Sequence, residues 1–120
     1  MGKPFENTEA WKSARALTNV VYSHCRREPL SRDFGLRDQL QRAAVSVMNN
    51  VAEGWEGLHG LEKRQACNMA RRSCGEVRSM TYVLVDNQYA TQEEQAALLA
   101  LCVQSGKLST GLIRSLDGRS

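Results

Sequence analysis

The chain has 120 residues, of which 42% are hydrophobic and 24% are charged, and its formal net charge is +3. This length allows one buried core but not two domains, and the composition excludes extended disorder. The most membrane-like uncharged stretch, residues 43–52, is about half the ~20 residues that a spanning helix needs. Residues 1–6 resemble neither a secretory signal nor a lipid-anchor motif. We therefore expect a cytoplasmic protein without a membrane segment.

The first predicted helix covers residues 7–27. Pro29 should end it, because proline lacks a backbone donor and clashes with the preceding turn. Apolar and small residues recur here every three or four positions, which is the period of one helix face. That face consists of Trp11, Ala14, Leu17, Thr18, Val21, Tyr22 and Cys25.

The second predicted helix covers residues 34–55 and follows Asp33, a residue type that caps helix N-termini. Gly54, Gly57 and Gly60 cluster at its other end, which predicts that the helix stops there and turns. Its core face consists of Leu36, Leu40, Ala43, Ala44, Val47, Val51 and Trp55.

The third and fourth predicted helices cover residues 61–88 and 92–116. Thr91 and Glu94 form a capping-box pattern at the start of the fourth helix. The third core face consists of Cys67, Ala70, Cys74, Val77, Thr81, Leu84 and Val85. The fourth consists of Leu98, Leu101, Cys102, Ser105, Leu108, Leu112 and Leu116.

Four amphipathic segments with short connections predict an all-α fold. No window shows strand alternation, and short connections favour antiparallel neighbours. We therefore predict a single-domain, antiparallel, up-and-down four-helix bundle covering residues 1–120. The four cysteines fall on the core faces without CxxC spacing, which indicates buried thiols rather than a disulfide or metal framework.

No pattern in the sequence predicts catalysis. Glu56 and His59 have the Glu-x-x-His spacing of a di-metal bundle site, but Gly57 and Gly60 place them in a turn, so we favour a solvated pair over half a metal site. With two histidines, a nucleophile, base and orienting group are hard to assemble. We therefore predict no enzyme activity, catalytic residue, metal ion or cofactor.

Some polar residues fall beside the core face of the second helix. Asn50 and Glu53 lie there, and a buried carboxylate without a partner would cost several kcal/mol. We predict a structural polar network of Asn50, Glu53 and Glu76, in which Arg42 or Arg71 holds helix register. The less favoured alternative is a catalytic role.

Several segments together resemble a known family. They are residues 5–15, 34–36, 39–47 and 50–54, and more weakly residues 70–73 leading to Glu76. The chain resembles the four-helix-bundle proteins encoded within intervening sequences of bacterial 23S ribosomal RNA genes, a family that includes the accessory variability determinants of diversity-generating retroelements. The resemblance implies an antiparallel bundle, a homopentamer around a central channel, nucleic-acid binding by some members and no enzymatic activity.

Basic residues concentrate in the second and third helices. The candidates for nucleic-acid contact are Arg37, Arg42, Lys63, Arg64, Arg71, Arg72 and Arg78. On one chain such interleaved charges are typical of a solvated face. Five copies would carry about +15 and could align their arginines into a ring that attracts phosphates. We predict an oligomer that binds RNA or DNA by phosphate contact rather than by base readout.

A protein adaptor is the alternative function. Its partner would be a protein such as a reverse transcriptase or an RNA-processing factor. Trp55 and Tyr89, near helix ends, have the aromatic character of interface residues.

Overall fold

The computed structural model describes residues 3–57 and 59–117, with the backbone alone at 116 and 117. It contains four helices, α1 (Glu9–Cys25), α2 (Phe34–Glu56), α3 (Gly60–Asp86) and α4 (Gln92–Asp117). Each helix packs against the next one, and α4 packs back against α1. The result is the predicted antiparallel four-helix bundle, 47 Å long and about 22 Å wide, with no strand in the described part of the chain.

Helix α1 is shorter than the predicted residues 7–27 at both ends. It begins after Thr8, whose hydroxyl oxygen accepts a hydrogen bond from the Trp11 amide at 3.2 Å. It ends at Cys25, which agrees with termination by Pro29, because in a continued helix the proline ring would clash with the carbonyl four residues earlier, that of Cys25. The chain then forms a short 3-10 turn at Leu30–Arg32, in which Leu30 is buried in the core. Leu30 thus contributes to the core from the connection between α1 and α2.

Helix α2 begins as predicted and passes through Gly54. The carboxylate of Asp33 accepts a hydrogen bond from the Leu36 amide at 3.3 Å, which confirms the N-cap. The helix ends at Glu56, within the predicted glycine cluster and one residue beyond the predicted position 55, and Gly54 is a buried residue of the helix itself. A Cβ atom at Gly54 would lie 2.7 Å from the Cys67 Sγ atom, so this glycine permits close packing of α2 on α3.

The connection from α3 to α4 is determined by local hydrogen bonds. Gln88 adopts a left-handed φ of 63°, and the Tyr89 amide donates to the Leu84 carbonyl at 2.7 Å, which is a Schellman-type ending. The predicted capping box is confirmed. The Thr91 amide donates to Glu94 at 2.9 Å and the Glu94 amide donates to Thr91 at 3.1 Å. Because of the Schellman-type ending, helix α3 ends at Asp86, two residues before the predicted position 88.

The predicted core faces supply most of the buried interior. Their buried members include Leu17, Leu40, Val77, Leu84 and Leu98. All four cysteines are buried and free. The faces are edged by half-buried residues, namely Trp11, Tyr22, Leu36, Trp55, Val85, Leu101 and Leu108. The side chain of Leu116, also assigned to the core, lies outside the described residues.

Small polar side chains join every pair of neighbouring helices. Such side chains allow close backbone approach and keep each buried polar group hydrogen-bonded. The pairs are Thr18 with the Ala44 carbonyl at 3.1 Å, Ser46 with Ser73 at 2.9 Å, Gln95 with Thr81 at 3.4 Å, and Ser13 with Ser105 at 2.7 Å. These bonds help to set the register of the helices.

Candidate nucleic-acid interface

A basic groove lies between α3 and α4. Its cations are Arg71 and Arg78 on α3 and Lys107 and Arg114 on α4, and all four are exposed. The open volume is about 500 Å³ and its lining includes Gly75 and Gly106. The lining contains no carboxylate among the residues that the structure describes. We refer to these four cations and the space between them as the basic groove.

Helix periodicity explains why the four cations share one groove. Arg71 and Arg78 are seven residues apart, as are Lys107 and Arg114, and seven residues make about two turns or 10.5 Å of helix. The hydrogen bond between Gln95 and Thr81 indicates the antiparallel register of α3 and α4. In this register Arg71 and Lys107 lie at similar levels, with Arg78 towards one end of the bundle and Arg114 towards the other. The cations therefore extend over roughly 24 Å.

The charge of the basic groove is not neutralised within the described residues. The ion pairs observed there involve other cations, namely Lys12, Arg27, Arg32 and Arg37. Two thiols also line the groove, and burial raises the pKa of Cys74 to about 11 and that of Cys102 to about 12. Both thiols are neutral at physiological pH, so the net charge of the groove is positive.

The other predicted cations do not join this groove. Arg37 donates to the Ser31 carbonyl at 2.9 Å, pairs with Asp38 at 3.3 Å and lies over the Phe34 ring at 4.8 Å, contacts that stabilise the connection before α2. Arg42 lies across the molecule in grooves on the two sides of α2, which also contain carboxylates. These two arginines are therefore weaker candidates for phosphate binding than Arg71 and Arg78.

The remaining three predicted cations lie along α3. Lys63 is half-buried, with its Cγ atom beside Gly57 at the α2–α3 connection. Arg64 is exposed and precedes Arg71 by seven residues, so it lies on a similar flank. Arg72 is exposed but does not line the basic groove. The structure thus separates Arg71 from its neighbour Arg72, although the sequence presents them as a pair.

Sequence reasoning missed Lys107 and Arg114. The predicted contact residues lie in the arginine-rich second and third helices and do not include these two cations, which are isolated along α4. A signal was present, because the seven-residue spacing of Arg71 and Arg78 recurs in Lys107 and Arg114. Only the antiparallel register of α3 and α4 brings the two spaced pairs together.

The predicted polar network has different members in the structure. Asn50 is buried and donates to the Ser46 carbonyl at 2.9 Å and to the Ser46 hydroxyl at 3.0 Å. Ser46 in turn bonds to Ser73 across the α2–α3 contact. Glu53 and Glu76 are exposed. Serine hydroxyls therefore provide the partners that we had expected from an arginine.

The remaining candidates for chemistry lie near helix ends. Glu56 is the last residue of α2, and His59 immediately precedes α3; both are exposed. In the described part of the chain, no three or more His, Cys, Asp and Glu side chains are grouped as metal ligands. Tyr89 donates a hydrogen bond to Asp33 at 3.0 Å, and the Trp55 indole donates to the Lys3 carbonyl at 2.8 Å. Both aromatic residues thus contribute contacts within the chain.

Helix α4 has an exposed apolar outer face. Seven residues enclose a shallow depression of about 760 Å³ on this face. They are Ala96, Leu99, Ala100, Val103, Gln104, Lys107 and Leu108, and we call them the outer face of α4.

Of the described helices, α4 alone is long and apolar enough over Gln92–Ser115 to cross a membrane, and 28% of its most apolar part is buried within the chain. The expectation that residues 43–52 are the most membrane-like stretch is therefore wrong.

Comparisons with known proteins agree with this architecture. A crystal structure from Bacteroides thetaiotaomicron VPI-5482, described as a protein of unknown function from the S23 ribosomal protein family, superposes with a TM-score of 0.79. The alignment covers 88% of this chain and 95% of that chain at 16% identity, which establishes the fold alone. No curated protein matches. The family model of the 23S rRNA-intervening sequence proteins matches residues 6–111. Because that match covers most of the chain, this protein belongs to the 23S rRNA-intervening sequence protein family.

Proposed function

We propose that this protein is a non-enzymatic, homo-oligomeric scaffold that binds nucleic acid, with RNA as the favoured partner. The observation that carries the proposal is the basic groove, which Arg71, Arg78, Lys107 and Arg114 line together and in which no described lining residue is a carboxylate. Phosphate contacts of this kind supply most of the affinity of sequence-independent binding. The groove contains no recognised base-reading motif, so the contacts should position the nucleic acid rather than select a sequence.

Self-association through the outer face of α4 would place several basic grooves on one particle. Ala96, Leu99, Ala100 and Val103 supply apolar surface that this chain leaves exposed or half-buried. The small alanines allow another helix to approach closely. Val103 and Lys107 belong both to this face and to the basic groove, so assembly would bring grooves of adjacent copies together. A pentamer, as the family resemblance implies, would carry about +15.

Charge reversal in the groove tests nucleic-acid binding. We expect Arg71→Glu to weaken binding of a fluorescent RNA by about tenfold or more and to reduce the dependence of log K on log salt by about one unit. The reason is that a phosphate contact is replaced by a repulsive charge. The measurement is fluorescence anisotropy across a salt series.

The matched control is Arg72→Glu, which makes the same charge change one residue away and outside the groove. It should alter RNA affinity much less than Arg71→Glu. Equal losses in the two variants would show that net charge, not the groove, attracts RNA. If the unmodified protein binds neither RNA nor DNA even at low salt, the nucleic-acid proposal fails.

A protein adaptor is the second candidate function. The outer face of α4 favours it, because an exposed apolar helix face suits a protein surface better than a phosphate backbone. Light scattering separates the candidates. A concentration-independent monomer that binds no nucleic acid would favour an adaptor, with the outer face of α4 contacting a different protein.

A further inference from the structure

An exposed aromatic ring lies on α3 one turn beyond Arg78, just outside the lining of the basic groove. Tyr82 is 52% exposed and follows Arg78 by four residues on α3. Side chains at this spacing are neighbours on a helix surface, with Cβ atoms about 6 Å apart. Tyr82 therefore extends the flank that bears Arg71 and Arg78, towards the end of the bundle where α3 connects to α4.

We propose that the basic groove binds single-stranded nucleic acid, with phosphates at its four cations and a base stacked on the Tyr82 ring. This inference rests on the proposed nucleic-acid binding and specifies its ligand. Proteins that bind single strands combine a positively charged groove along the backbone with aromatic side chains on which bases stack. Here both features lie on one flank of α3.

The shape of the groove favours a single strand over a duplex. Packed helices lie about 8–10 Å apart, so the trough between α3 and α4 is narrow. A flexible strand can follow such a trough and expose base faces to Tyr82, whereas a duplex hides those faces within its stack. The cations extend over roughly 24 Å, and a stacked strand rises about 3.4 Å per nucleotide. One groove would therefore contact about seven nucleotides.

Stacking and phosphate contact should respond differently to salt. Attraction between cations and phosphates releases counterions and weakens as salt rises, whereas stacking on a neutral ring adds no counterion release. Removing the ring should therefore lower affinity at every salt concentration without changing the slope of log K against log salt. Removing a groove cation should lower both affinity and slope.

The test uses the full chain with three labelled ligands: a single-stranded RNA, a single-stranded DNA and an RNA duplex. We expect the unmodified protein to bind both single strands more tightly than the duplex. Tyr82→Ala should weaken single-strand binding about 5- to 150-fold with an unchanged salt slope, and it should leave duplex binding unaltered. Tyr82→Trp should retain single-strand binding because its ring also stacks.

Val83→Ala is the matched control, because Val83 is the neighbouring exposed residue, at 41% exposure, and lies on a different side of α3. It should leave binding unchanged. Light scattering in the same buffers should give one mass for the unmodified protein and for Tyr82→Ala. A changed mass would assign Tyr82 to assembly and overturn the inference.

The outcomes separate this inference from the function on which it rests. If Tyr82→Ala binds single strands normally while Arg71→Glu does not, the groove binds nucleic acid but the stacking inference is overturned. Equal or tighter binding of the duplex by the unmodified protein also overturns it. If the unmodified protein binds none of the three ligands at low salt, the result would instead contradict the proposed nucleic-acid binding itself.

Discussion

At the scale of single residues, Gly54 shows how one missing side chain shapes the interior. It lies in α2 opposite Cys67 of α3, and its own surface is buried. An added Cβ would approach the Cys67 Sγ atom to 2.7 Å and the Lys63 carbonyl oxygen to 3.3 Å. A buried core accommodates such an atom only by shifting side chains or backbone. Glycine therefore fixes the separation of α2 and α3 near their connection.

We predict that Gly54→Ala lowers the free energy of unfolding by about 1–3 kcal/mol, the usual range for overpacking. Chemical denaturation measures this change. In a Cys67→Ala background the same substitution should cost less, because the nearest clashing atom is absent. Gly111→Ala is the control, since nothing lies within 4 Å of its added Cβ, and it should stabilise α4 by about 0.5–1 kcal/mol. An equal cost of Gly54→Ala in both backgrounds would contradict this explanation.

At the scale of helices, Glu94 connects the start of α4 to the segment that follows α1. Its carboxylate accepts hydrogen bonds from the Arg27 guanidinium and from the Thr91 amide. Arg27 also contacts the His24 ring at 2.8 Å. The hydrogen bond from Arg27, followed by that from Thr91, lowers the pKa of Glu94 to about 2. The capping box thus contributes tertiary as well as local stability.

We predict that Glu94→Gln lowers the melting temperature at neutral pH and that this loss disappears in acid. The folded-state pKa of Glu94 is below its ordinary value of 4.5, so its ionised form stabilises the fold above that value. This stability should decrease as pH falls from about 4.5 to about 2. Thermal melts across this range measure the difference. Glu93→Gln is the control, because it removes a charge from the same turn of α4 but neither of the hydrogen bonds that Glu94 accepts.

At the scale of the whole molecule, α3 and α4 present two surfaces side by side. The basic groove is polar and cationic, whereas the outer face of α4 is mostly apolar. Because they share Val103 and Lys107, a particle assembled through α4 would place grooves at its subunit boundaries. Assembly and nucleic-acid binding should therefore strengthen each other through the combined charge of several copies.

If the protein assembles through the outer face of α4, as proposed, Ala100→Glu should give monomers at micromolar concentration. Ala100 is exposed on the outer face of α4, so the substitution spares the core, but a carboxylate buried between copies would cost several kcal/mol. Light scattering measures the mass, and circular dichroism verifies the fold. Ala97→Glu is the matched control, because Ala97 is exposed on α4 outside that face. Normal assembly of Ala100→Glu would place the interface elsewhere.

The sequence by itself determined the elements that rest on local physics. Helix periodicity identified four core faces, and two caps, Asp33 and the Thr91–Glu94 box, were recognisable because their partners lie three residues away. Family membership was also readable, since its signature segments are continuous in the chain.

Tertiary structure decided what depends on neighbours from another helix. The sequence does not show that α3 approaches Gly54 closely enough to exclude a side chain, or that Ser73 of α3 is joined to Asn50 through Ser46. The basic groove needed the register of α3 against α4, because Lys107 and Arg114 are 29 or more positions away from Arg78 in the sequence. Packing sets that register, and no local pattern along the chain encodes it.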